Sequence, residues 1–240
     1  MGPDQVVSKA PLEGVRLRIQ RGLKLSNVFE RASRATRDAA AAGATLDVYP
    51  GGVVLIQQGS PVDALFVIGR GRVRLERRSA DGRTVPLGYR GSGDILGEAA
   101  LGEATVHDES ATAMEEVELI RLPMTLIHDL MSQDATLGTA VLTLLLTRQR
   151  ETEERIASLL NRNVEGRLAE FLLKAADRWG VPLPQGTLIS APITHLEIAQ
   201  SIGSTRETVT LTLGALRRAG ILDVAGRRLI VANREALAAR

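Results

Sequence analysis

The stretch that decides the fold is Thr194–Arg218, THLEIAQSIGSTRETVTLTLGALRR. Thr194 is a good cap for a first helix. Glu197, three residues later, completes a capping box, in which each side chain accepts a hydrogen bond from the other residue's backbone N–H. Gly203 supplies the left-handed backbone conformation that a tight turn between two helices needs. The pattern therefore predicts a helix-turn-helix.

The second helix of the pair is predicted to have an apolar side and an exposed side. It begins at a cap, Ser204 or Thr205, and Val209, Leu213 and Leu216 recur at spacings of four and three. Side chains at these spacings form one stripe, which packs inward. The side chains that point elsewhere are Arg206, Glu207, Thr210 and Leu211.

Arg206 and Glu207 fall in the first turn of the second helix, the part of a recognition helix that meets base edges in the major groove of DNA. Arginine can donate two parallel hydrogen bonds to guanine O6 and N7, and glutamate can accept from the cytosine amino group. We therefore predict a DNA-reading helix. The alternative is a plain helical hairpin with solvated charges.

The run Ile193 to Val209, ITHLEIAQSIGSTRETV, closely resembles the DNA-binding helix pair of the cyclic AMP receptor protein and fumarate-nitrate reduction regulator family. The resemblance implies that Arg206 and Glu207 read a G and its paired C in a half-site of the TGTGA kind. Leu211 stands where the family's receptor protein has a second base-reading arginine. Leucine can offer only an apolar contact, for instance to a thymine methyl, so the preferred sequence should differ in detail.

Composition limits the classes of protein that need to be considered. The chain has 240 residues, 44% of them hydrophobic, which is enough for two modest cores. The formal net charge is only +2, so affinity for DNA must come from a local patch. Cysteine is absent, which excludes disulfides and cysteine-bound iron-sulfur sites. No signal peptide or membrane span is evident, and we expect a cytoplasmic protein that does not bind membranes.

The N-terminal half is predicted to be a short arm followed by a β-rich domain. Residues 1–25 hold five Lys or Arg against two acids and are predicted to be a partly disordered basic arm, which either touches DNA phosphates or a partner, or is a solvated tail. Ser26 is predicted to cap a helix through Ala42 that ends at Gly43. From Thr45 to Pro123, short alternating strands separated by glycine-containing turns predict a β-barrel or jelly-roll.

Several phrases of this region, YPGG, GD-x-x-GE and the closing ELIRLP, resemble the same family's cyclic-nucleotide-binding β-roll. The expected fold class is therefore α+β, with an N-terminal β-roll, a long dimerisation helix and a C-terminal winged helix-turn-helix. The expected domains are 1–25, the arm; 26–134, the β-roll with flanking helices; 135–162, the long helix; and 163–240, the DNA-binding domain.

The resemblance also implies an effector pocket, and the sequence departs from the family there. Gly97 would offer its backbone N–H to a phosphate, Glu98 would bond a ribose hydroxyl, and Ser110 would follow an arginine that neutralises the phosphate. That arginine is replaced by Glu109. At about 4 Å and an effective dielectric near 20, an attraction of about 4 kcal/mol becomes a similar repulsion. The family's adenine-binding Thr-Ser pair corresponds to Thr152 and Glu153.

We therefore expect a degenerate pocket and no required cofactor. The protein should bind DNA without cyclic nucleotide; the alternative is control by a cyclic nucleotide or an unusual effector such as cyclic di-GMP. The run His107-Asp108-Glu109 could instead bind a divalent cation or form a pH-sensitive cluster, although a solvated loop is the simpler interpretation.

An enzyme of the metal-dependent cupin kind is the alternative from another class. It needs a cluster of metal ligands on the strands, and the chain has only three histidines, at 107, 128 and 195. No catalytic triad or phosphate loop is evident either. We therefore expect a protein that is not an enzyme.

The long helix carries a seam that begins apolar and becomes charged: Leu137, Val141, Leu144, Arg148, Glu151 and Arg155. It resembles the family's dimerisation helix, and a symmetric homodimer would place two recognition helices about 34 Å apart on a near-palindromic site. The alternative is a helix packed on its own barrel.

After a hinge at Asn163, the last domain should end in a two-stranded wing with Arg227 and Arg228 at its tip, where they either contact phosphate or are solvated. Activation of transcription would also require a surface that touches RNA polymerase, for which the sequence offers no signature. The predicted DNA contacts are Thr194, Ser204, Thr205, Arg206, Glu207, Thr210, Leu211, Arg227 and Arg228.

Overall fold

The computed structural model describes residues 12–102, 104–190 and 193–240. The chain divides into two compact units, and the division falls between Gln149 and Arg150. It therefore lies inside the long helix, whereas the sequence predicts a domain boundary at residue 163. The part of the predicted basic arm before residue 12 lies outside the described residues.

The first unit is built on two four-stranded antiparallel sheets, one in the order β1-β8-β3-β6 and the other in the order β2-β7-β4-β5. The strands are β1 Thr45–Tyr49, β2 Val54–Ile56, β3 Ala64–Arg70, β4 Val73–Arg78, β5 Thr84–Arg90, β6 Ile95–Leu96, β7 Ser110–Ala113 and β8 Val117–Pro123. Two packed antiparallel sheets are what the predicted β-roll requires, and this part of the fold prediction is confirmed.

The pairing of β3 with β8 separates two hydrophobic cores. Val67 opposes Ile120, and the next residues, Ile68 and Leu119, oppose each other. Because successive side chains of a strand point to opposite faces, the first pair packs with the helices of this unit and the second pair packs with residues of the other sheet. The sheet is therefore buried on both faces, which explains its continuous apolar runs.

Four α-helices complete or leave this unit: α1 Leu12–Leu25, α2 Arg34–Gly43, α3 Met124–Gln133 and α4 Ala135–Asn161. The prediction of a partly disordered arm is wrong for residues 12–25. Ile19 and Leu23, four residues apart, are buried in the core, so α1 is held by one apolar side while its arginines face outward. The basic composition concealed this narrow stripe.

The predicted single helix from Ser26 is also wrong. The hydroxyl of Ser26 accepts hydrogen bonds from the N–H groups of Val28 (3.3 Å) and Phe29 (3.5 Å), and so caps only a 3₁₀ turn, Phe29–Arg31. Ala32 is extended, with ψ 159°, and interrupts the helix. Ser33 is the true cap of α2, because its hydroxyl accepts from the N–H of Thr36 at 3.1 Å.

Asp134 links α2 to the start of α4. Its carboxylate accepts hydrogen bonds from the N–H of Ser33 (2.9 Å), the hydroxyl of Thr36 (2.6 Å) and the N–H of Thr136 (3.0 Å). Together with a bond from the Thr136 hydroxyl, these bonds hold the pKa of Asp134 well below its usual range. The side chain therefore caps α4 as a carboxylate, in agreement with a helix start at this point.

The predicted seam of α4 is only partly available to another protein. Leu137 and Val141 are buried in the core of their own unit, Leu144 packs against that core, and Arg148 is bonded to the β-roll. As a dimer seam for this half of the helix the prediction is wrong, because the β-roll already covers these residues. The apolar side chains that α4 exposes are Leu142, Leu145, Leu146, Ile156, Leu159 and Leu160.

The second unit is a helical domain with one small sheet. Its elements are α5 Val164–Trp179, β9 Gly180–Leu183, β10 Gly186–Ile189, α6 His195–Ile202, α7 Arg206–Arg218, β11 Leu222–Ala225, β12 Arg228–Val231 and α8 Arg234–Ala238. Asn163 caps α5 by accepting from the N–H of Gly166 at 2.8 Å. The predicted wing is the hairpin β11-β12, which belongs to a wider sheet in the order β11-β12-β10-β9.

Within the described parts of the chain, no helix combines the length and the apolar character needed to cross a membrane.

The packing of α1 on the β-roll predicts opposite effects for the same substitution at two glycines of this helix. In Gly22→Ala the new methyl would clash with Ile120 Cδ1 and lie 3.2 Å from Gly69 Cα, so we expect a loss of about 1 to 3 kcal/mol in unfolding free energy. In the control, Gly14→Ala, no atom lies within 4 Å of the new methyl, and stability should be unchanged or rise by up to about 1 kcal/mol. Urea denaturation of the full chain measures both. Equal effects would mean that α1 does not pack as described.

Candidate nucleic-acid interface and effector pocket

The helix-turn-helix begins with the predicted capping box. The Thr194 hydroxyl accepts from the N–H of Glu197 at 3.2 Å, and the Glu197 carboxylate accepts from the N–H of Thr194 at 2.8 Å. Two of the backbone donors at the start of α6 are thereby satisfied. Both bonds stiffen the start of the first helix of the pair.

The turn between α6 and α7 is held by its backbone conformation and by two arginines. Gly203 has φ 62°, the left-handed conformation that glycine adopts without strain. Arg167 donates from Nε to the carbonyl of Ile202 at 2.7 Å and from Nη2 to that of Gly203 at 3.2 Å. Arg155 donates to the carbonyl of Ser201 at 2.9 Å. The last carbonyls of α6 thus meet positive charge where the helix dipole is negative.

Sequence reasoning missed this pair of arginines. Arg167 also donates from Nη1 to the carbonyl of Arg162 at 2.7 Å, so one guanidinium joins the end of α4 to the turn. Arg155 was assigned to the dimer seam instead. No local signal distinguishes these residues from other arginines of the chain, because their partners are backbone carbonyls that lie far away in sequence.

The recognition helix α7 forms as predicted. Thr205 is the cap, since its hydroxyl accepts from the N–H of Thr208 at 3.2 Å, and Ser204 precedes it in the turn. Val209, Leu213 and Leu216 are buried in the core of the second unit. The predicted inward stripe is confirmed, and it fixes which side of α7 faces solvent.

The exposed side of α7 carries the predicted base-reading residues. Arg206 and Glu207 are exposed in its first turn, and Thr210 and Leu211 are exposed one turn later. Leu211 is 74% exposed. A helix that presents Arg and Glu from its first turn has the donor and acceptor groups that a G·C pair offers in the major groove.

His195 is a neighbour of this surface that the sequence did not single out. Its Nδ1 lies 2.8 Å from the hydroxyl of Thr210, and that hydroxyl also donates to the carbonyl of Arg206 at 2.8 Å. The contact joins the first residue of α6 to the middle of α7. Sequence spacing predicted the two helices, but not which side chains meet across them.

The wing presents its two arginines at an exposed turn. Gly226 has φ 61° and allows the tight turn between β11 and β12, and Arg227 and Arg228 follow it with exposed side chains. All the predicted DNA contacts thus lie in one unit, on α6, its turn, α7 and the wing. Their contact with DNA stays a prediction.

The predicted effector residues Gly97 and Glu98 lie at the start of a 3₁₀ turn, Glu98–Leu101. Gly97 has φ 80°, and a side chain there would lie 2.9 Å from the carbonyl of Ala64. The carboxylate of Glu98 forms an ion pair with Arg148 of α4, which also donates to the carbonyl of Ile95 at 2.9 Å. Both side chains are mostly buried, at 18% and 14% exposure. The group predicted to bond a ribose is therefore engaged by the protein itself.

Glu109, in the place of the family's phosphate-binding arginine, is half-buried. Burial raises its pKa, while the positive charges of Arg90 and Arg77 act in the opposite direction. Arg77 also donates to the carbonyl of Asp108 at 3.0 Å. The hydroxyl of Ser110 accepts from the N–H of Gln58 at 3.0 Å. The sequence found the carboxylate here but missed the two arginines that offset its charge.

The remaining predicted residues of the pocket give no metal site. His107 is buried and burial lowers its pKa, so it is neutral at neutral pH, while Asp108 is exposed. Among the residues that the structure describes, no group of three or more His, Cys, Asp and Glu could hold a metal ion. Thr152 and Glu153 lie on α4 in the second unit, and their role toward an effector stays a prediction.

The bonds of Arg167 predict how the helix-turn-helix responds to a conservative substitution. In Arg167→Lys one ammonium replaces a fork that reaches three carbonyls, and each lost charged hydrogen bond is worth about 1.5 kcal/mol or more. We expect amide hydrogen exchange in the turn at residues 203–205 to become about tenfold faster or more. Arg150→Lys, at an exposed position of α4, is the matched control and should leave exchange unchanged. Unchanged exchange in both variants would contradict the assigned role.

Two family models match this chain. Residues 46–134 match the cyclic nucleotide-binding domain, and residues 166–240 match the Crp-like helix-turn-helix domain. These ranges correspond to the β-roll with its following helix and to the unit that carries the exposed face of α7.

Relatives with regulatory names match most of the chain. The CRP-like cAMP-activated global transcriptional regulator of Mycobacterium tuberculosis strain H37Rv is 30% identical over 192 residues, which cover 80% of this chain and 86% of that protein. The global nitrogen regulator of Synechococcus elongatus is 28% identical over 194 residues, covering 80% and 87%. The enzyme alternative receives no support from them.

A solved structure supports the same assignment at the level of the fold. The c-di-GMP responsive global regulator CLP of Xanthomonas campestris superposes with a TM-score of 0.73 at 23% identity, covering 84% of this chain and all of that one. Together with the two family models and the sequence relatives, this fold shows that the chain belongs to the CRP/FNR family of transcription regulators, with a cyclic nucleotide-binding-type domain followed by a Crp-like helix-turn-helix.

Proposed function

We propose that this regulator binds a near-palindromic DNA site as a homodimer, and that it does so without needing a cyclic nucleotide. The observation that carries the DNA part is the exposed first turn of α7, which presents Arg206 and Glu207 beside a turn held by Gly203 and Arg167. A rigid support matters because base contacts tolerate only small errors in position. Work on DNA places the protein in the cytoplasm.

A local patch must supply the affinity, because the net charge of the chain is only +2. Arg206 and the wing residues Arg227 and Arg228 are exposed cations on the elements that would face DNA. Contacts to phosphates position a protein, and contacts to base edges specify the sequence. We assign the wing arginines to phosphate, and Arg206 and Glu207 to a G·C pair.

The exposed side of α4 supports the homodimer. Its positions 142, 145, 149, 152, 156 and 159 follow alternating spacings of three and four, the pattern of a two-stranded coiled coil. Leu142, Leu145, Ile156 and Leu159 on this stripe are 39% to 57% exposed, which is costly for a row of large apolar side chains in water. A second copy of the same helix would cover them symmetrically. This stripe replaces the seam predicted from the sequence.

Two charge arrangements support binding without an effector. Arg148 neutralises Glu98, and Arg90 and Arg77 offset Glu109, so both carboxylates of the pocket already have cations near them. An incoming cyclic phosphate would have to displace or share these partners, which costs the energy of the bonds that it breaks.

An effector-controlled regulator is the second candidate. One relative is named as cAMP-activated and another as a nitrogen regulator, so the names within the family do not agree on one signal. The observation that favours this candidate is the presence of Arg90 and Arg77 near Glu109, since either guanidinium is a cation that a phosphate could bond.

Arg206→Ala tests the DNA proposal. The probe is a labelled duplex with an inverted repeat selected from a randomised TGTGA-type pool, and the competitor is the same duplex with one half-site scrambled, at fixed salt. The native chain should prefer the intact repeat, and Arg206→Ala should lose about 1 to 3 kcal/mol and discriminate less at the G·C pair. Arg217→Ala, at an exposed position in the last turn of α7, is the control for a general loss of charge. Equal binding to the intact and scrambled duplexes would refute a dimer on a two-fold site.

A further inference from the structure

We propose that Thr210 and Leu211 form an apolar reading patch that recognises thymine methyl groups next to the base pair read by Arg206 and Glu207. The inference rests on the proposed function and deepens it, because it names a base that the protein selects. It depends on the hydrogen bonds of Thr210 and on the exposure of Leu211.

The hydroxyl of Thr210 is already committed within the protein. A threonine hydroxyl has one hydrogen, and here that hydrogen is donated to the carbonyl of Arg206 at 2.8 Å. The Nδ1 of His195, 2.8 Å away, must then be the donor in the second bond, with the hydroxyl oxygen as acceptor. The imidazole is therefore protonated at Nδ1, and the group that Thr210 retains for a ligand is its methyl.

This arrangement gives His195 a positioning role. By occupying the hydroxyl oxygen of Thr210 it removes a donor and acceptor that would otherwise bond either a purine or a pyrimidine edge. Because His195 begins α6 and Thr210 lies in the middle of α7, the bond also ties the reading side of α7 to the first helix.

Leu211 adds a large apolar side chain to the same exposed side of α7. Single exposed leucines are common on protein surfaces, and exposure alone would mean little. Leu211, however, is 74% exposed, is adjacent to Thr210, and stands one turn beyond Arg206 and Glu207. Any base edge that meets the first turn of α7 brings its neighbour close to this patch.

Thymine is the base whose major-groove edge fits an apolar patch. Its C5 methyl projects into the major groove, and the other three bases offer no apolar group there. Burying one such methyl against Thr210 and Leu211 should strengthen binding about fourfold, which corresponds to about 0.8 kcal/mol. For a dimer that contacts two half-sites, the combined effect is about sixteenfold.

Replacement of thymine by deoxyuridine tests the proposal, since it removes the methyl and keeps every hydrogen-bonding group. The selected inverted-repeat duplex is titrated with the full chain at fixed salt, with deoxyuridine placed at one symmetric pair of thymines at a time. We expect one pair beside the G·C pair to show the loss of about sixteenfold, and the other positions to show little change. In Leu211→Ala, whose side chain is exposed so that folding is preserved, the same replacement should have much less effect.

Two variants of Thr210 separate its methyl from its hydroxyl. Thr210→Val keeps a methyl in place and removes the hydroxyl, so affinity and sensitivity to deoxyuridine should stay. Thr210→Ser keeps the hydroxyl and removes the methyl, so sensitivity should fall. Nitrogen-15 NMR of the free protein should find His195 protonated at Nδ1 in the native chain, a result that does not depend on DNA.

Each outcome bears on the proposal. Sequence-specific binding that ignores deoxyuridine everywhere, or that is weakened in Thr210→Val but not in Thr210→Ser, would overturn the thymine patch and leave the proposed function intact. Absence of any sequence preference would overturn the proposed function, and this inference with it. Equal sensitivity in the native chain and in Leu211→Ala would remove Leu211 from the patch and overturn the assignment.

Discussion

The ion pair between Glu98 and Arg148 is the interaction on which the sensing half of this protein depends. It joins the turn that follows β6 to α4, and the same arginine also bonds the carbonyl of Ile95. Because both side chains are mostly buried, removing either one would leave an uncompensated charge in the protein. A contact that an effector could make in a related pocket is thus made by the chain's own side chain, and α4 is held against the β-roll without a ligand.

A second constraint acts in the DNA-binding unit, where the end of α6 is satisfied by arginines. Arg155 and Arg167 bond the carbonyls of Ser201, Ile202 and Gly203, and Arg167 also bonds the end of α4. The turn before the recognition helix is therefore fixed by residues on two other helices of the same unit. Such a support keeps the exposed first turn of α7 in one position, which sequence-specific reading requires.

The elements with local signals could be predicted from the sequence, and those that depend on distant partners could not. The capping box of Thr194 and Glu197, the turn at Gly203 and the stripe from Val209 to Leu216 are set by neighbouring residues, and all three are observed. In contrast, α1 was missed because its apolar stripe is narrow. The seam of α4 was assigned to a partner because periodicity does not say what covers a stripe. The cations near Glu98 and Glu109 come from other strands and helices, beyond the reach of any motif.

The most direct test of effector-independent binding is a titration of the full chain into the selected inverted-repeat duplex at fixed salt, with and without cyclic AMP, cyclic GMP and cyclic di-GMP. If Arg148 and the arginines near Glu109 already occupy the pocket, specific binding is complete without nucleotide, and each dissociation constant stays within about twofold. A nucleotide that strengthens binding about tenfold or more, equivalent to about 1.4 kcal/mol of coupling, would contradict this and make the protein an effector-controlled regulator.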